Sequence, residues 1–194
     1  GQPLCSVMLD KLVASAHIDQ VVVNTDSRVI KEYVEDRYNK VIVVDRPENL
    51  LGHDVSMNKI IGHDIEIFPA DLYLQTHSTN PLLTLQTIDA AIEKLMTDKE
   101  GHDSLFSVTK FQTRFYHEDG SALNHDPEVL IKTQDLPALY EENSCIYLFT
   151  KAAFYKNKRR IGSSPMMFEM KPIEAVDIDV EDEFILAEKL FKVL

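Results

Sequence analysis

The chain has 194 residues, 44% hydrophobic and 27% charged, which is enough to bury the core of one compact soluble domain. Its net charge of -12 argues against a nucleic-acid or anionic-membrane surface, because binding to phosphate backbones needs clustered Lys and Arg. No apolar run reaches the ~18 residues that span a bilayer, no basic segment leads into an apolar run at the start, and Cys5 and Cys145 lie far apart without metal-ligand spacing, so a soluble, unexported, cytoplasmic chain with buried thiols is expected.

Gly1-Gln2-Pro3-Leu4 reads as a turn into a helix, in which Leu4, Met8, Leu9, Leu12 and Val13 recur at helical spacing. Val21-Val22-Val23 is a short buried-strand run ending at Asn24-Thr25-Asp26, followed by a helix from Ser27 to Tyr38 with Ser27 as its cap. Val41 to Val44 is the next strand, ending at Asp45-Arg46-Pro47. After a polar loop, Ser56 to His63 reads as a short helix, Asp71 to Thr76 as a strand, and Thr84 to Met96 as a periodic helix capped by Thr84. Ser104 to Thr109 and Cys145 to Thr150 are further strands. The polar stretch between them, with His117-Glu118-Asp119-Gly120 and His125-Asp126-Pro127, is either a hairpin arm or a projecting loop. Lys158-Arg159-Arg160 reads as a solvated turn, or as a group holding a carboxylate from a neighbouring subunit.

Strand-helix pairs with continuous apolar strands indicate an α/β fold around a parallel sheet covered on both faces. Ligands of such sheets bind outside the carboxyl ends of the strands. The ends to inspect are therefore 24–26, 45–47, the loop from Gln75 to Pro81, and Asp177 with Asp179. In an extended strand Asp177 and Asp179 share one face, with Val176, Ile178 and Val180 on the other. Two carboxylates aimed together call for a hard cation such as Mg2+, which points to phosphate chemistry. The alternative is a strand end whose solvated acids help start the following helix. The histidines, His53 and His63 among them, show no recognised ligand spacing.

Several segments, taken in order, resemble the acylneuraminate cytidylyltransferase (CMP-sugar-acid synthetase) family. They are Gly1 to Leu4, Val21 to Asp26, Arg46-Pro47-Glu48-Asn49-Leu50 with Ser56 after it, and Leu74-Gln75 through Asn80-Pro81-Leu82. Asn143-Ser144-Cys145-Ile146-Tyr147 stands for the family's Asn-Gly-Ala-Ile-Tyr, and Val176-Asp177-Ile178-Asp179 for its Asp-Ile-Asp. The resemblance covers nearly the whole chain. It implies a three-layer, Rossmann-like nucleotidyltransferase fold with a mixed, mostly parallel sheet. It also implies transfer of CMP from CTP to a 2-keto, sialic-acid-like sugar acid, with release of pyrophosphate. Asp177 and Asp179 are then the catalytic, Mg2+-binding pair, Arg46, Ser56 and Asp26 lie at the nucleotide, and Gln75, Asn80, Asn143 and Tyr147 lie near the substrate. The family role is sugar activation for cell-surface polysaccharides, commonly as a homodimer, with residues 112–137 as the expected contact arm.

Departures from the family pattern sharpen these expectations. The family's N-terminal strand and Gly-rich basic phosphate loop have no counterpart in these residues, so a segment completing the single domain of 1–194 is expected to be omitted, or the product to be truncated. Where the family carries Ser-Pro-Leu-Arg, this chain has Asn80-Pro81-Leu82-Leu83, after a loop about two residues longer; Leu83 carries no charge to meet a sugar carboxylate. Sialic acid itself is thereby disfavoured against a related acid. The rival readings are a noncatalytic nucleotide-sugar binding protein and a nucleotidyltransferase for another nucleotide or sugar.

Overall fold

The computed structural model describes residues 2–52 and 54–194. Gly1, part of the expected opening turn, and His53, weighed as a metal ligand, lie outside the described residues. The elements run α1 (Leu4–Leu12), β1 (Val21–Thr25), α2 (Arg28–Arg37), β2 (Val41–Asp45), α3 (Met57–Ile67), β3 (Tyr73–Gln75), α4 (Leu85–Met96), β4 (Ser104–Phe111), β5 (Leu139–Phe149), α5 (Lys151–Asn157), β6 (Pro165–Glu169) and α6 (Glu181–Phe191). The hydroxyls of Ser27 and Thr84 accept the backbone N–H groups of Ile30 and Thr87, satisfying donors that α2 and α4 cannot satisfy internally.

β1 and β2 pair in parallel, residue 21 opposite 41 through 25 opposite 45. The second sheet has the order β3-β5-β4-β6, in which β5 alone runs against its neighbours. Among the described residues, β1 and β3 each keep one edge without a partner strand.

Alternation along β5 builds the layers. Ile146 and Leu148 face one way, into a core with Met8 of α1, Ile88, Ala91 and Ile92 of α4, and Leu83. Tyr147 and Phe149 face the other way, against Ile61 and Ile65 of α3 and Phe154 of α5. Helices thus cover both faces, and each such buried apolar side chain contributes about 1.5–3 kcal/mol. Leu9, Val34 and Tyr38 cover the β1-β2 sheet, and Leu12 and Ile18 pack against this cluster and the α4 core alike, tying the two sheets together.

Several expectations need correction. The segment carrying Asp177 and Asp179 is not a strand. β6 takes the place beside β4, its ladder extended by Met170 N–H to the Val108 carbonyl, and a 3-10 turn at Pro172–Ala175 then turns the chain away from the sheet. The helix expected over Ser56 to His63 continues to Ile67, and β5 begins at Leu139 rather than Cys145. β6 and α5 gave no periodic signal, since each is short and β6 opens on a proline.

The polar stretch between β4 and β5 forms an arm. The Tyr116–Ala122 bridge closes a tight turn, and Asn124 holds the base of the arm by accepting Phe115 N–H and donating to the carbonyls of Thr113 and Pro137. No described helix is long and apolar enough to cross a membrane.

Candidate active site

Arg46 follows β2 immediately, and the parallel register places it beside the end of β1. Its Nε and Nη2 donate to the side-chain and backbone oxygens of Asn24, both at 3.0 Å. Asn24 Nδ2 donates in turn to Asp64 Oδ1 of α3 at 2.7 Å, and His63 Nδ1 lies 3.2 Å from the same oxygen. The guanidinium is therefore aimed by a relay across β2, β1 and α3. Ser56 is exposed and spends its hydroxyl as the α3 cap, accepting Asn58 N–H. Asp26 is exposed in a shallow groove with Lys31 and Asp45, and it does not cap α2; Ser27 does.

Gln75 ends β3 and joins a second group. Its Oε1 accepts from Arg160 Nη1 at 2.6 Å, and its Nε2 lies 2.8 Å from His77 Nε2. Because a guanidinium only donates, the amide oxygen must face Arg160 and the amide N–H must face the ring. His77 Nε2 is then an acceptor and its proton sits on Nδ1. Burial lowers the His77 pKa, the Arg160 charge lowers it further and Asp177 opposes both, so the neutral imidazole is the form this environment favours. The Arg160 guanidinium lies over the Tyr147 ring at 3.9 Å, and the Tyr147 hydroxyl bonds Glu142 and Ser144. Arg160 is thus half-buried, where the sequence suggested a solvated turn; its neighbours Lys158 and Arg159 are exposed.

Asp177 is half-buried and Asp179 exposed. Asp177 Oδ1 accepts Ile178 N–H at 2.9 Å. Neither carboxylate caps α6: Glu183 Oε2 reaches back to the N–H groups of Asp179 and Val180, at 2.7 and 3.0 Å. The pair therefore supplies no capping bond to α6. Asn80 is buried and ties the segment down through Nδ2 to the Val176 carbonyl at 3.4 Å. Buried Glu174 accepts the N–H and hydroxyl of Thr84, while Lys11 donates to the Pro81 carbonyl, so both ends of the 80–84 turn are held.

Asn143 is buried and committed inward. Its Oδ1 accepts from Ser107 Oγ at 2.5 Å and Cys145 N–H at 3.3 Å, and its Nδ2 donates to Thr109 Oγ1 at 3.0 Å. Ser144, where the family has glycine, takes φ of 59°. Burial, with help from the Asp177, Glu141 and Glu174 charges, pushes the Cys145 thiol up to about 12. Asn143→Ala is expected to lower stability by about 1–3 kcal/mol by stranding these buried groups, read as a lower urea midpoint with an unchanged m-value.

The structure brings Gln75, Tyr147 and Arg160 together, and groups Arg46 with Asn24 and Asp64. Sequence reasoning gave Asp64 no role, weighed His77 only as a metal ligand, and read Arg160 within a solvated turn or as a group holding a carboxylate from a neighbouring subunit. The longer loop after Gln75 was a signal for His77, and the basic run was one for Arg160, but which of its three cations turns inward is decided only in the folded chain.

Comparison with known proteins bears on the family and the fold. The family model described as cytidylyltransferase matches residues 1–192. A pseudaminic acid cytidylyltransferase from Campylobacter jejuni is 26% identical over 100% of this chain and 87% of its own length. An N-acylneuraminate cytidylyltransferase from Oncorhynchus mykiss is 29% identical over 97% of this chain, which spans 44% of that longer protein. Among solved structures, a 4-diphosphocytidyl-2C-methyl-D-erythritol synthase from Anaerococcus prevotii superposes with a TM-score of 0.74 at 13% identity, covering 99% of this chain and 87% of its own. A CMP:2-keto-3-deoxy-manno-octonic acid synthetase complexed with CTP gives 0.63 at 12% identity, covering 97% and 89%. With the match running over almost every residue of the α/β fold, the chain belongs to the cytidylyltransferase family.

Proposed function

We propose that this chain transfers CMP from CTP to a 2-keto sugar acid. A sugar hydroxyl attacks the α-phosphate, the bond to the β-phosphate breaks, pyrophosphate leaves with the bonding electrons, and the hydroxyl proton passes to solvent or a nearby base. The observation that carries the reading is the cytidylyltransferase match over residues 1–192. The names of relatives that act on pseudaminic and N-acylneuraminic acids support the acceptor class.

In this reading Arg46, aimed by Asn24 and Asp64, meets the nucleotide with Ser56 and Asp26 beside it. Gln75 lines the acceptor side, while Tyr147, Asn80 and Asn143, all buried, shape it from within. Two carboxylates are a hard-oxygen donor set that fits Mg2+, an ion typically held by one or two acidic side chains, with water and substrate phosphates as its other ligands. Asp177 and Asp179 would hold it, and when bound it neutralises charge on the phosphates.

A homodimer through the arm is also proposed, supported by Leu123, Val129 and Leu130, which are all exposed on it. Unpaired thiols at Cys5 and Cys145 support a cytoplasmic setting.

The test is pyrophosphate release by the full gene product with CTP, Mg2+ and a panel of 2-keto sugar acids, run beside ATP, GTP and UTP. Release with CTP and one acid is expected. Silence across the panel while CTP still binds would favour a noncatalytic nucleotide-sugar binding protein, and release with another nucleotide would replace the reading.

A further inference from the structure

We infer that Arg160 is the specificity-determining cation that reads the carboxylate of the acceptor, an inference that rests on the proposed sugar-acid reaction. The argument begins with a missing charge. At position 83, where the resemblance leads one to expect arginine, this chain has a leucine with no exposed surface, packed among Met8, Ile88, Ile146 and Met170. The turn that carries it is pinned by Lys11, Glu174 and Asn80, so no cation can reach the cleft from there.

Arg160 supplies one from a different element, the loop between α5 and β6. In a chain of net charge -12 it is half-buried, yet among the described residues no Asp or Glu oxygen lies within 4.0 Å of it. Its one hydrogen bond goes to the neutral amide of Gln75. One face stacks on Tyr147, a ring fixed by its own core packing and by Glu142 and Ser144 at its hydroxyl. Of five guanidinium N–H groups, four remain for a ligand, and a planar fork matches a carboxylate with two parallel bonds.

The loop is built to hold this group in place. Asp103 accepts the N–H groups of Ser163 and Ser164 at 2.8 and 3.0 Å, and Ser104 Oγ accepts that of Gly162 at 2.8 Å. A Cβ on Gly162 would meet Asp103 Oδ1 at 2.0 Å, so the close approach needs glycine. Arg160 sits two residues before this anchor. Gln75, its hydrogen-bond partner, ends β3 opposite Tyr147 of β5, which places the cation at the carboxyl end of β3, where ligands of such sheets bind. A reader of acceptor charge belongs there. A phosphate oxygen of the nucleotide presents similar chemistry, and the test separates the two.

Steady-state kinetics of Arg160→Met and Arg160→Lys, with the sugar acid that turns over and with its neutral carboxamide, decide the matter. Arg160→Met is expected to raise the KM for the acid about 10- to 100-fold, the size of a lost charge-assisted pair. It should leave the KM for CTP unchanged and abolish the preference for acid over carboxamide. Arg160→Lys, which keeps the charge without the fork, should restore part of that preference. An unchanged acceptor KM, or a rise in the KM for CTP instead, overturns the inference while the reaction stands. If Arg160→Met fails to fold, Arg160→Lys carries the test, and a preference equal to the unsubstituted protein's counts against the inference. Silence of the unsubstituted protein across the panel removes the reaction, and the inference with it.

Discussion

The double substitution Asp177→Asn with Asp179→Asn is expected to lower pyrophosphate release about a thousandfold while leaving the protein folded. Both changes conserve shape. An asparagine oxygen at 177 still accepts Ile178 N–H, and α6 keeps its start because Glu183, not either aspartate, caps the helix. What is lost is negative charge on two oxygens of a segment that Asn80 ties to the 80–84 turn. If charge at this point serves the departing pyrophosphate, the loss falls on kcat and the urea midpoint stays put. Release at the level of the unsubstituted protein would remove these residues from the chemistry. A matching fall in stability and activity would mark them as structural.

Leu83→Arg, which restores the residue seen in the resembling family, is expected to cost at least about 4 kcal/mol. It would set a charge among Met8, Ile88, Ala91, Ile92 and Ile146, beside a buried carboxylate, Glu174, that is already committed to the N–H and hydroxyl of Thr84. Since a domain of this kind has only about 5–15 kcal/mol to lose, much of the protein should appear in the insoluble fraction, with the remainder unfolding at far lower urea. A soluble Leu83→Arg protein of undiminished midpoint would show that the turn can rotate the side chain into the cleft. In that event the case that position 83 cannot serve the acceptor would fail, and Arg160 would no longer be required as the substitute.

The halves of the molecule differed in how readily they could be read. α2 and α4 were legible because their signals are local: a hydroxyl cap, then apolar residues at helical spacing. β1 and β2 were legible as apolar runs ended by polar residues. β6 was not, because five residues opening on proline carry too little pattern. The strand expected at Asp177 and Asp179 had the right alternation. A strand also needs a partner, however, and β6 already occupies the place beside β4.

The candidate site divides in the same way. The acidic pair, Arg46, Gln75 and Tyr147 stand out by residue type and order along the chain. Their partners do not: Asp64 reaches Asn24 across 40 positions, and Arg160 reaches Gln75 across 85. Asn143 was marked by its motif, yet its polar atoms are spent inside the protein on Ser107, Thr109 and Cys145. Thus the amino-acid order by itself determined the α/β class, the helix caps and the family, because these follow from short-range periodicity and ordered motifs. Only the tertiary structure decided which charges face one another, since that depends on strand order and on the packing of α3 and the 158–164 loop against the sheet.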